Sequence, residues 1–503
     1  MIQVDGKSLT LEDFRRVVHH EQSCALAATA RERIVTAHQV ILDTLARGEA
    51  IYGVNTGFGD LAKIRIPDDQ LSTLQERLLV SHAAGVGEPL PDEAVRGMLL
   101  LRANTLARGH SGVRPELVEL LLAMLEADLL PVVPAKGSVG ASGDLAPLSH
   151  LALPLIGRGE VRLKGEVLPA AKALSSCGLQ SLELGPKEGL ALINGTQAMT
   201  SLLALAALAA LDLVRIADLV GAMSTDAVRG TDEPFDRRLH ELRPHPGQMA
   251  SAANLWQLLQ GSEIRESHRE GDSRVQDPYS IRCIPQVHGA ARDLLSDIEG
   301  KLAIEMNAVT DNPLVFADDG EILSGGNFHG EPMAMAADIL ALALAELGSI
   351  SERRIDKLTD SVFSGLSAFL TEEPGLNSGF MMAQVTAAAL ASENKGLTHP
   401  ASVDSIPTSA EKEDHVSMGM GAAVKLQQVV VNTRQILAIE LLSAAQGIDL
   451  LRPLKSSEPL EALHAAIRRR VPKWEEDREM APDLATAAEF LGSDIRSHIE
   501  GLQ

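Results

Sequence analysis

Residues 137–150 read GSVGASGDLAPLSH, a glycine-rich loop that leads into the start of a helix. A phosphate-binding loop has Lys and then Ser or Thr after its last glycine, whereas Asp144 follows Gly143 here. A carboxylate at that position would repel phosphate. The dinucleotide-binding fingerprint also fails, because the glycine spacing differs and no alternation of strand and helix surrounds the loop. A tight turn in which glycine supplies unusual dihedral angles remains the simplest alternative.

The tripeptide Ala141-Ser142-Gly143 also has a chemical interpretation. The Gly143 nitrogen can attack the Ala141 carbonyl carbon and close a five-membered ring, because glycine has no side chain to block the approach. Loss of water from Ser142 would then leave a methylene group, which is a strong electrophile. Such ring closure is normally unfavourable, so the loop must strain the chain toward it. A helix starting at Leu145, with Pro147 in its first turn, would direct its positive end at the ring.

The composition of the 503 residues is that of a globular protein with a sizeable core: 45% are hydrophobic and 22% are charged. Aromatic residues make up only 3%, so Leu, Ala, Val and Ile must build the core, and Ala and Leu favour helices. The formal net charge of -23 argues against binding to nucleic acid or anionic membranes, since no run of basic residues offsets it.

The cysteines and the first residues of the chain bear on the compartment. Cys24, Cys177 and Cys283 are too few for a disulfide framework, and the segment from Met1 to Asp13 has no apolar signal core. The longest apolar stretch, Ala198–Leu211, is too short to span a bilayer. We therefore expect a cytoplasmic protein.

The pattern along the chain predicts a mostly α fold with short β-hairpins. Thr10 is a candidate helix cap with Asp13 three positions later, and a loop is expected at 53–59 (GVNTGFG). We expect a region 1–200 that carries the active-site loops and a region 201–503 of long helices, packed as one integrated unit. Hairpins are predicted at Val161–Val167 and Leu314–Leu323, and long helices at Thr200–Met223, Met333–Leu347, Phe380–Lys395 and Gly419–Ala445.

Both tyrosines of the chain lie in distinctive polar segments. Tyr52 is in IYGVNTGFGD and Tyr279 is in QDPYSIRCIPQVHG. Together with the segment 137–150, these motifs resemble the aromatic amino acid ammonia-lyase and aminomutase family, and the resemblance runs from about residue 50 to about residue 455. It implies the ammonia-lyase and fumarase-like helix bundle, a homotetramer with shared pockets, and no added cofactor. In its place the family forms a methylidene-imidazolone (MIO) ring from the residues equivalent to Ala141, Ser142 and Gly143.

The resemblance also implies a set of pocket residues. Tyr52 is the candidate base for the substrate's β-proton, with Glu413 as a competing base or an imidazole partner, and because a phenol is a poor base it would need activation. Arg282 would hold the carboxylate through paired hydrogen bonds. Tyr279 is a further candidate catalytic residue, which can exchange hydrogen bonds with the substrate near its amine and carboxylate. The remaining residues would bind the substrate: they are His82, Asn194, Gln276 and Phe328. Asn194 could instead cap a helix, Phe328 could be core packing and Gln276 could be structural.

The choice of substrate depends on Ser81-His82 in SHAAGVG, which resembles the histidine-deaminating members of the family. Tyrosine lyases tend to carry His-Leu there and phenylalanine lyases Phe-Leu. His82 and Glu413 would give an imidazole two polar partners, which a phenyl ring would leave buried and unpaired. The resemblance thus implies deamination of L-histidine to trans-urocanate and ammonia. A buried histidine with structural partners is the alternative for His82.

Three other functions stay open at this point. A lyase or aminomutase of the same family that acts on tyrosine or phenylalanine would keep the loop and change the ring pocket. A catalytically silent helical scaffold would keep the loop only as a turn. A metal-dependent lyase is disfavoured, because the 15 histidines include no HExxH or similar ligand spacing, and we expect no metal.

Overall fold

The computed structural model describes residues 1–57, 59–272 and 274–503, so Phe58 of the predicted loop lies outside the described residues. The chain forms two compact units, each built from three separate segments. These units do not by themselves divide the chain by function, so the predicted regions 1–200 and 201–503 stay predictions. The first unit consists of Met1–Ala206, Glu299–Asp338 and Pro400–Val424, and the second of Ala207–Ile298, Ile339–His399 and Lys425–Gln503.

The fold is mostly α-helical, as predicted, and each of the four long helices is present. Their observed ends extend beyond the predicted ones at most termini, because the apolar runs on which the predictions rest stop before the helices do. The α-helices are Leu11–Val18, Ala28–Ala46, Leu71–His82, Asp92–Ala107, Pro115–Glu126, Leu145–Ala152, Ala170–Ser176, Glu188–Ile193, Gln197–Ala227, Arg237–Glu241, Pro246–Leu259, Glu263–Glu266, Tyr279–Arg282, Ile284–Glu305, Glu331–Thr359, Ser361–Ser364, Met381–Leu397, Gly419–Leu450, Glu458–Arg468, Ala481–Ser493 and Arg496–Ile499. Short 3-10 helices lie at Gly59–Lys63, Asp68–Gln70, Leu153–Ile156, Glu233–Phe235 and Ala368–Leu370.

The strands are short, and both predicted hairpins are confirmed. The first turns at Lys164-Gly165, where both residues have positive φ (52° and 82°), as a tight two-residue hairpin turn requires. The second pairs Leu314 with Leu323. The strands are Ile2–Val4, Cys24–Leu26, Val86–Pro89, Leu130–Pro131, Pro134–Lys136, Glu160–Leu163, Glu166–Pro169, Leu314–Phe316 and Glu321–Leu323.

The predicted cap of the first helix is confirmed. The Asp13 backbone N–H donates to Thr10 Oγ1 at 3.0 Å, and the Thr10 backbone N–H donates to the Asp13 carboxylate at 3.2 Å. These reciprocal bonds satisfy two donors that the helix itself cannot satisfy. The cap therefore fixes where the chain turns from its first strand into helix.

The Glu331–Thr359 helix is long and apolar enough, by length and composition alone, to cross a membrane. However, 67% of its most apolar window is buried inside the protein. A helix that is apolar on most sides is expected when other helices cover it. Its burial therefore matches a core helix of a globular protein.

The long helices of the second unit are joined by buried charged groups. Arg354 and Glu440 are both fully buried, and two guanidinium N–H groups donate to the carboxylate at 2.5 and 2.8 Å. Ser224 and Ser351 donate their hydroxyls to the same carboxylate at 2.6 and 2.5 Å. Because every oxygen of Glu440 has a donor, the pair fixes the relative positions of the helices that contribute it.

Replacing Glu440 by glutamine should destabilise the fold, because Arg354 becomes a buried cation without a counter-charge. We expect the free energy of unfolding, measured by urea denaturation, to fall by about 3–5 kcal/mol. The matched control is Glu241→Gln, which alters the exposed Arg237–Glu241 pair and should cost less than about 1 kcal/mol. Equal effects of the two substitutions would contradict the structural role of Glu440.

Candidate active site

A cavity of about 680 Å³ in the first unit has Ser142 in its wall. The predicted site residues come from separate segments of the chain: a loop before the 3-10 helix Gly59–Lys63, the end of a helix, two loops and a turn. The structure brings five of them to this cavity together with Ser142, namely Tyr52, His82, Asn194, Phe328 and Glu413.

The loop that carries Ser142 is held against the turn at Gly195. Gly143 has a φ of 71° and forms a bridge with Gly195, and a Cβ on Gly143 would lie 2.1 Å from the Gly195 carbonyl oxygen. The Asp144 N–H donates to that same oxygen at 2.7 Å. No side chain fits at position 143, so its nitrogen is free of the steric bulk that would oppose ring closure. The tripeptide Ala141-Ser142-Gly143 therefore fits the predicted MIO ring.

Asp144 ties the loop to the start of the long Gln197–Ala227 helix. One carboxylate oxygen accepts a hydrogen bond from the Ser138 hydroxyl at 3.0 Å, and the other accepts one from the Met199 backbone N–H at 2.9 Å. Complete burial raises the pKa of Asp144 to about 6, although these donors act in the opposite direction. The predicted helix from Leu145 is also present and begins directly after this residue.

His82 is the last residue of the Leu71–His82 helix and has one ring nitrogen committed. Its Nδ1 lies 2.9 Å from the Leu78 carbonyl oxygen, so Nδ1 carries the proton and donates it. Nε2 is then an acceptor. Burial lowers the pKa of His82, against the opposing influence of the Leu78 carbonyl and the Glu413 carboxylate. The ring is therefore neutral at pH 7 and offers a lone pair toward the cavity that it lines.

Glu413 has two oxygens with different surroundings. Oε1 accepts a hydrogen bond from the Ser142 hydroxyl at 3.0 Å. Oε2 accepts hydrogen bonds from Thr408 Oγ1 and Ser409 Oγ, both at 2.7 Å. Ser409 and the two residues after it have positive φ, which turns the loop so that these hydroxyls face the carboxylate. Sequence reasoning missed Thr408 and Ser409; their only signal was two hydroxyl residues four and five positions before Glu413.

Asn194 lines the cavity with a free acceptor. Its Nδ2 donates to the Asn312 carbonyl at 3.0 Å, and its own carbonyl accepts a hydrogen bond from buried Arg102 at 2.9 Å. Its Oδ1 is buried and has no hydrogen-bond partner in the part of the chain that the structure describes. A buried acceptor without a partner is costly, so it is suited to a donor on the substrate.

Tyr52 and Phe328 complete the described lining from the predicted set, and both are half-buried. The Tyr52 hydroxyl accepts a hydrogen bond from the Gly59 N–H at 3.3 Å, which fixes the position of the phenol oxygen. Phe328 supplies an apolar surface in the same cavity. Tyr52 therefore lines the same cavity as Ser142, and its role as the base stays a prediction.

Gln276, Tyr279 and Arg282 belong to the second unit and do not line this cavity. Gln276 and Arg282 line a separate cavity of about 340 Å³. Tyr279 is 69% exposed, and the Arg282 guanidinium carbon lies 4.6 Å from the centre of its ring. These three predicted site residues are therefore absent from the described lining of the cavity at Ser142, and their roles stay predictions.

One group of potential metal ligands is present among the described residues. Atoms of His329, Glu331 and His415 that could bind a metal ion lie within 4.8 Å of one another. His329 Nε2 lies 3.2 Å from the His415 carbonyl oxygen, and its Nδ1 accepts a hydrogen bond from the Glu331 N–H at 3.4 Å. Because both ring nitrogens are engaged, we assign no metal to this group, and the expectation of a metal-free enzyme stays a prediction.

Comparison with known proteins agrees with this geometry. The family model described as aromatic amino acid lyase matches residues 9–469. The chain is 57% identical to a histidine ammonia-lyase of Deinococcus radiodurans over 95% of its own length and 91% of that protein. Its structure is similar to that of histidine ammonia-lyase from Trypanosoma cruzi (TM-score 0.92, 44% identity, 99% and 95% of the two chains) and to that of tyrosine aminomutase from Streptomyces globisporus (TM-score 0.94, 38% identity, 100% and 99%). The predicted fold class is thereby confirmed.

Asp144 should make stability depend on pH in a defined direction. Its pKa of about 6 in the folded state exceeds the ordinary 3.8, so the folded chain retains a proton that the unfolded chain loses. The stability from this group is complete below about pH 4 and is lost as the pH rises through 6. In urea denaturation, the free energy of unfolding should therefore fall between pH 4 and 7. The fall should be smaller in Asp144→Asn than in the wild type by about 1–3 kcal/mol.

The control for this measurement is Asp319→Asn, which changes an exposed aspartate in the second hairpin turn. This variant should follow the wild-type pH dependence throughout the range, because an exposed carboxylate is solvated in both the folded and the unfolded state. An Asp144→Asn profile parallel to that of the wild type would contradict the strained burial that we assign to this carboxyl group.

Proposed function

The chain belongs to the aromatic amino acid lyase family and is a carbon–nitrogen lyase, and we propose that it deaminates L-histidine to trans-urocanate and ammonia. The observation that carries this proposal is the pair of polar groups beside Ser142. His82 offers a neutral Nε2 acceptor, and Glu413 offers a carboxylate oxygen. An imidazole has nitrogen positions that match both groups, whereas a phenyl ring has none.

The electrophile in this proposal is an MIO ring formed from Ala141, Ser142 and Gly143, with no added cofactor. When formed, its methylidene carbon supplies a site to which an amine can add, which makes the amine a better leaving group. The chain's own part is to hold this carbon in place. The Gly195 carbonyl and the Asp144 carboxylate do so, because they fix the loop on the side away from the cavity.

Recognition of the substrate ring would depend on whether the ring forms hydrogen bonds with His82 and Glu413. The imidazole N–H donates to His82 Nε2, and the other ring nitrogen, when protonated, donates to Glu413 Oε1. An aryl substrate would leave both groups desolvated without partners, at about 1–3 kcal/mol for each. His82 would thus act as a specificity residue rather than as a merely buried histidine.

The remaining roles concern the amine and the β-proton. Asn194 Oδ1, which has no hydrogen-bond partner among the described residues, accepts a hydrogen bond from the substrate amine. Tyr52 removes the β-proton, because its hydroxyl is held in the cavity by the Gly59 N–H. Glu413 is the competing base, but this proposal gives its Oε1 to the substrate imidazole during turnover. We therefore assign the base to Tyr52.

The substrate carboxylate requires residues that a single chain does not place at the cavity. We propose a cytoplasmic homotetramer in which Gln276, Tyr279 and Arg282 of a neighbouring copy complete the pocket. Tyr279 is exposed, and the half-buried Arg282 guanidinium lies over its ring. The Arg282 Nε has no hydrogen-bond partner among the described residues, which suits a carboxylate acceptor. Exposed apolar side chains on the long helices, such as Leu342, Val385 and Val431, give those copies a surface on which to pack.

The decisive experiment offers the purified protein L-histidine, L-tyrosine and L-phenylalanine separately and follows the ultraviolet absorbance of the unsaturated acid. We expect product with L-histidine alone. His82→Leu should raise KM for histidine roughly 10- to 100-fold, because one polar partner of the imidazole is lost. His19→Leu, which alters an exposed histidine of the first unit outside the cavity, is the control and should behave as the wild type.

Other outcomes would overturn the proposal in distinguishable ways. Turnover of L-tyrosine or L-phenylalanine would be consistent with the family but would contradict the proposed specificity for an imidazole ring. A β-amino acid product would indicate an aminomutase. Inactivity toward all three amino acids, with an unmodified mass of the chain, would favour a silent scaffold. Loss of activity with a chelator would contradict the metal-free expectation.

The shared pocket predicts complementation between two inactive variants. Ser142→Ala lacks the electrophile and Arg282→Met lacks the carboxylate anchor, so each alone should be inactive. Oligomers that contain both chains should regain part of the wild-type activity, because some pockets then combine an intact Ser142 with an intact Arg282. Co-expression with two affinity tags isolates such oligomers. No activity in the doubly tagged species would contradict a pocket shared in this way.

A further inference from the structure

The side chain of Ser142, as an unmodified serine, is in contact with Glu413. The Ser142 hydroxyl donates to Glu413 Oε1 at 3.0 Å. Among the described residues, Glu413 is the only carboxylate in hydrogen-bond contact with this hydroxyl. That hydroxyl is the group that must leave when the methylidene carbon is made. The carboxylate is therefore already placed for chemistry on Ser142 itself.

We propose that Glu413 catalyses the dehydration of Ser142 during formation of the electrophile, a role separate from any it has in substrate turnover. This inference rests on the proposed function to the extent that it assumes the ring forms. It assigns the chain a second, self-directed activity, which is an elimination reaction on its own serine. Glu413 lies within hydrogen-bond distance of the leaving hydroxyl, and such proximity is what acid–base work at that group requires.

Ring formation needs the loss of two waters, and only the second involves Glu413. In the first step the Gly143 nitrogen bonds to the Ala141 carbonyl carbon. The carbonyl oxygen takes the two amide protons of Gly143 and Ser142 and leaves as water, and a double bond remains between the Ala141 carbon and the Ser142 nitrogen. The Ser142 Cα proton is then acidic, because it is adjacent to both this double bond and a carbonyl.

The second step is an elimination that balances without any added reagent. The Glu413 carboxylate takes the Cα proton of Ser142, and the electron pair of that bond forms the Cα–Cβ double bond. The Cβ–Oγ bond breaks, Glu413 returns the proton to the departing oxygen, and water leaves. Glu413 ends as the carboxylate with which it began. The product is the methylidene group.

Two hydroxyls orient Glu413 for this step. Thr408 Oγ1 and Ser409 Oγ both donate to Oε2 at 2.7 Å, so Oε1 is the oxygen that faces Ser142. Hydrogen bonds between the Thr408 and Glu413 backbones, at 3.0 and 3.4 Å, hold the loop that carries them. Thr408 and Ser409 are thus positioning residues, since they act on Ser142 only through the carboxylate.

Asp144, the nearest carboxyl group along the sequence, is unsuited to this task. Its two oxygens are occupied by the Ser138 hydroxyl and by backbone N–H groups that include that of Met199. These bonds fix the loop and leave no oxygen directed at Ser142. The two acids therefore divide the work: Asp144 holds the loop for ring closure, and Glu413 carries out the dehydration.

Glu413 Oε1 would then have two successive roles, first in the dehydration of Ser142 and later in binding the substrate imidazole. Once the Ser142 hydroxyl has left as water, Glu413 Oε1 loses its hydrogen-bond donor while Oε2 keeps both of its own. A carboxylate oxygen that faces the cavity without a donor favours a new one. Maturation thereby releases the oxygen that the proposed function assigns to the substrate imidazole.

The test is the intact mass of the full-length chain, followed with time after a short pulse of synthesis. The wild type should become lighter by two waters. Glu413→Gln should become lighter by one water promptly and lose the second roughly 100-fold more slowly, because the amide cannot shuttle the proton. Glu411→Gln, which changes an exposed carboxylate on the same loop, is the matched control and should lose two waters at the wild-type rate.

Activity alone does not separate the two roles of Glu413, because loss of either one lowers activity. The mass does separate them. Loss of two waters from Glu413→Gln at the wild-type rate would overturn this inference and leave the proposed function intact. A wild type that loses two waters but does not act on histidine would overturn the proposed function alone.

A second variant keeps the inference testable if Glu413→Gln does not fold, which circular dichroism would reveal. The double variant Thr408→Val, Ser409→Ala retains the carboxylate but removes both donors to Oε2. Its first water loss should be normal and its second should slow roughly tenfold, since a mobile carboxylate is less often in position. Two losses at the wild-type rates in that variant would overturn the inference.

Discussion

The close approach of two backbone segments, the loop at Gly143 and the turn at Gly195, is the constraint on which the site depends. A single added carbon at position 143 would lie 2.1 Å from the Gly195 carbonyl oxygen, so nothing but glycine can occupy it. The Asp144 N–H and carboxylate keep the loop in this position from two sides. A segment held this tightly can store the strain that an unfavourable ring closure requires.

Buried charged side chains support the turn at Gly195, the second of these two segments. Arg102 is completely buried and donates to the Asn194 carbonyl, and Lys187 pairs with Asp311 at 2.7 Å, where neither side chain is exposed to solvent. Burial lowers the pKa of Arg102 to about 10 despite the nearby Asp311, so the group is still charged at neutral pH. Arg102 is therefore a buried cation whose Nη1 lies at the Asn194 carbonyl, next to Gly195.

Much of this arrangement could be predicted from the sequence, for identifiable reasons. Three consecutive residues, Ala141 to Gly143, predict the chemistry of the loop. Ala- and Leu-rich runs predict the long helices, and Lys-Gly and Asp-Gly pairs predict the turns of the two hairpins. The support for Glu413 could not be predicted, because three successive residues with positive φ, none of them glycine, create it. The pairing of Lys187 with Asp311 could not be predicted either, because 124 positions of the chain separate the two residues. For Arg282, the sequence predicts that it binds the substrate carboxylate. It does not predict which copy of the chain places Arg282 at the pocket.

In the proposed function, this loop becomes an electrophile inside a pocket built for an imidazole. A crystal structure of the full chain with trans-urocanate bound tests both parts at once. We expect continuous density between the Gly143 nitrogen and the Ala141 carbon, no hydroxyl on Ser142, and an imidazole between His82 Nε2 and Glu413 Oε1. A linear chain with an intact serine, or a ring bound away from His82 and Glu413, would contradict it.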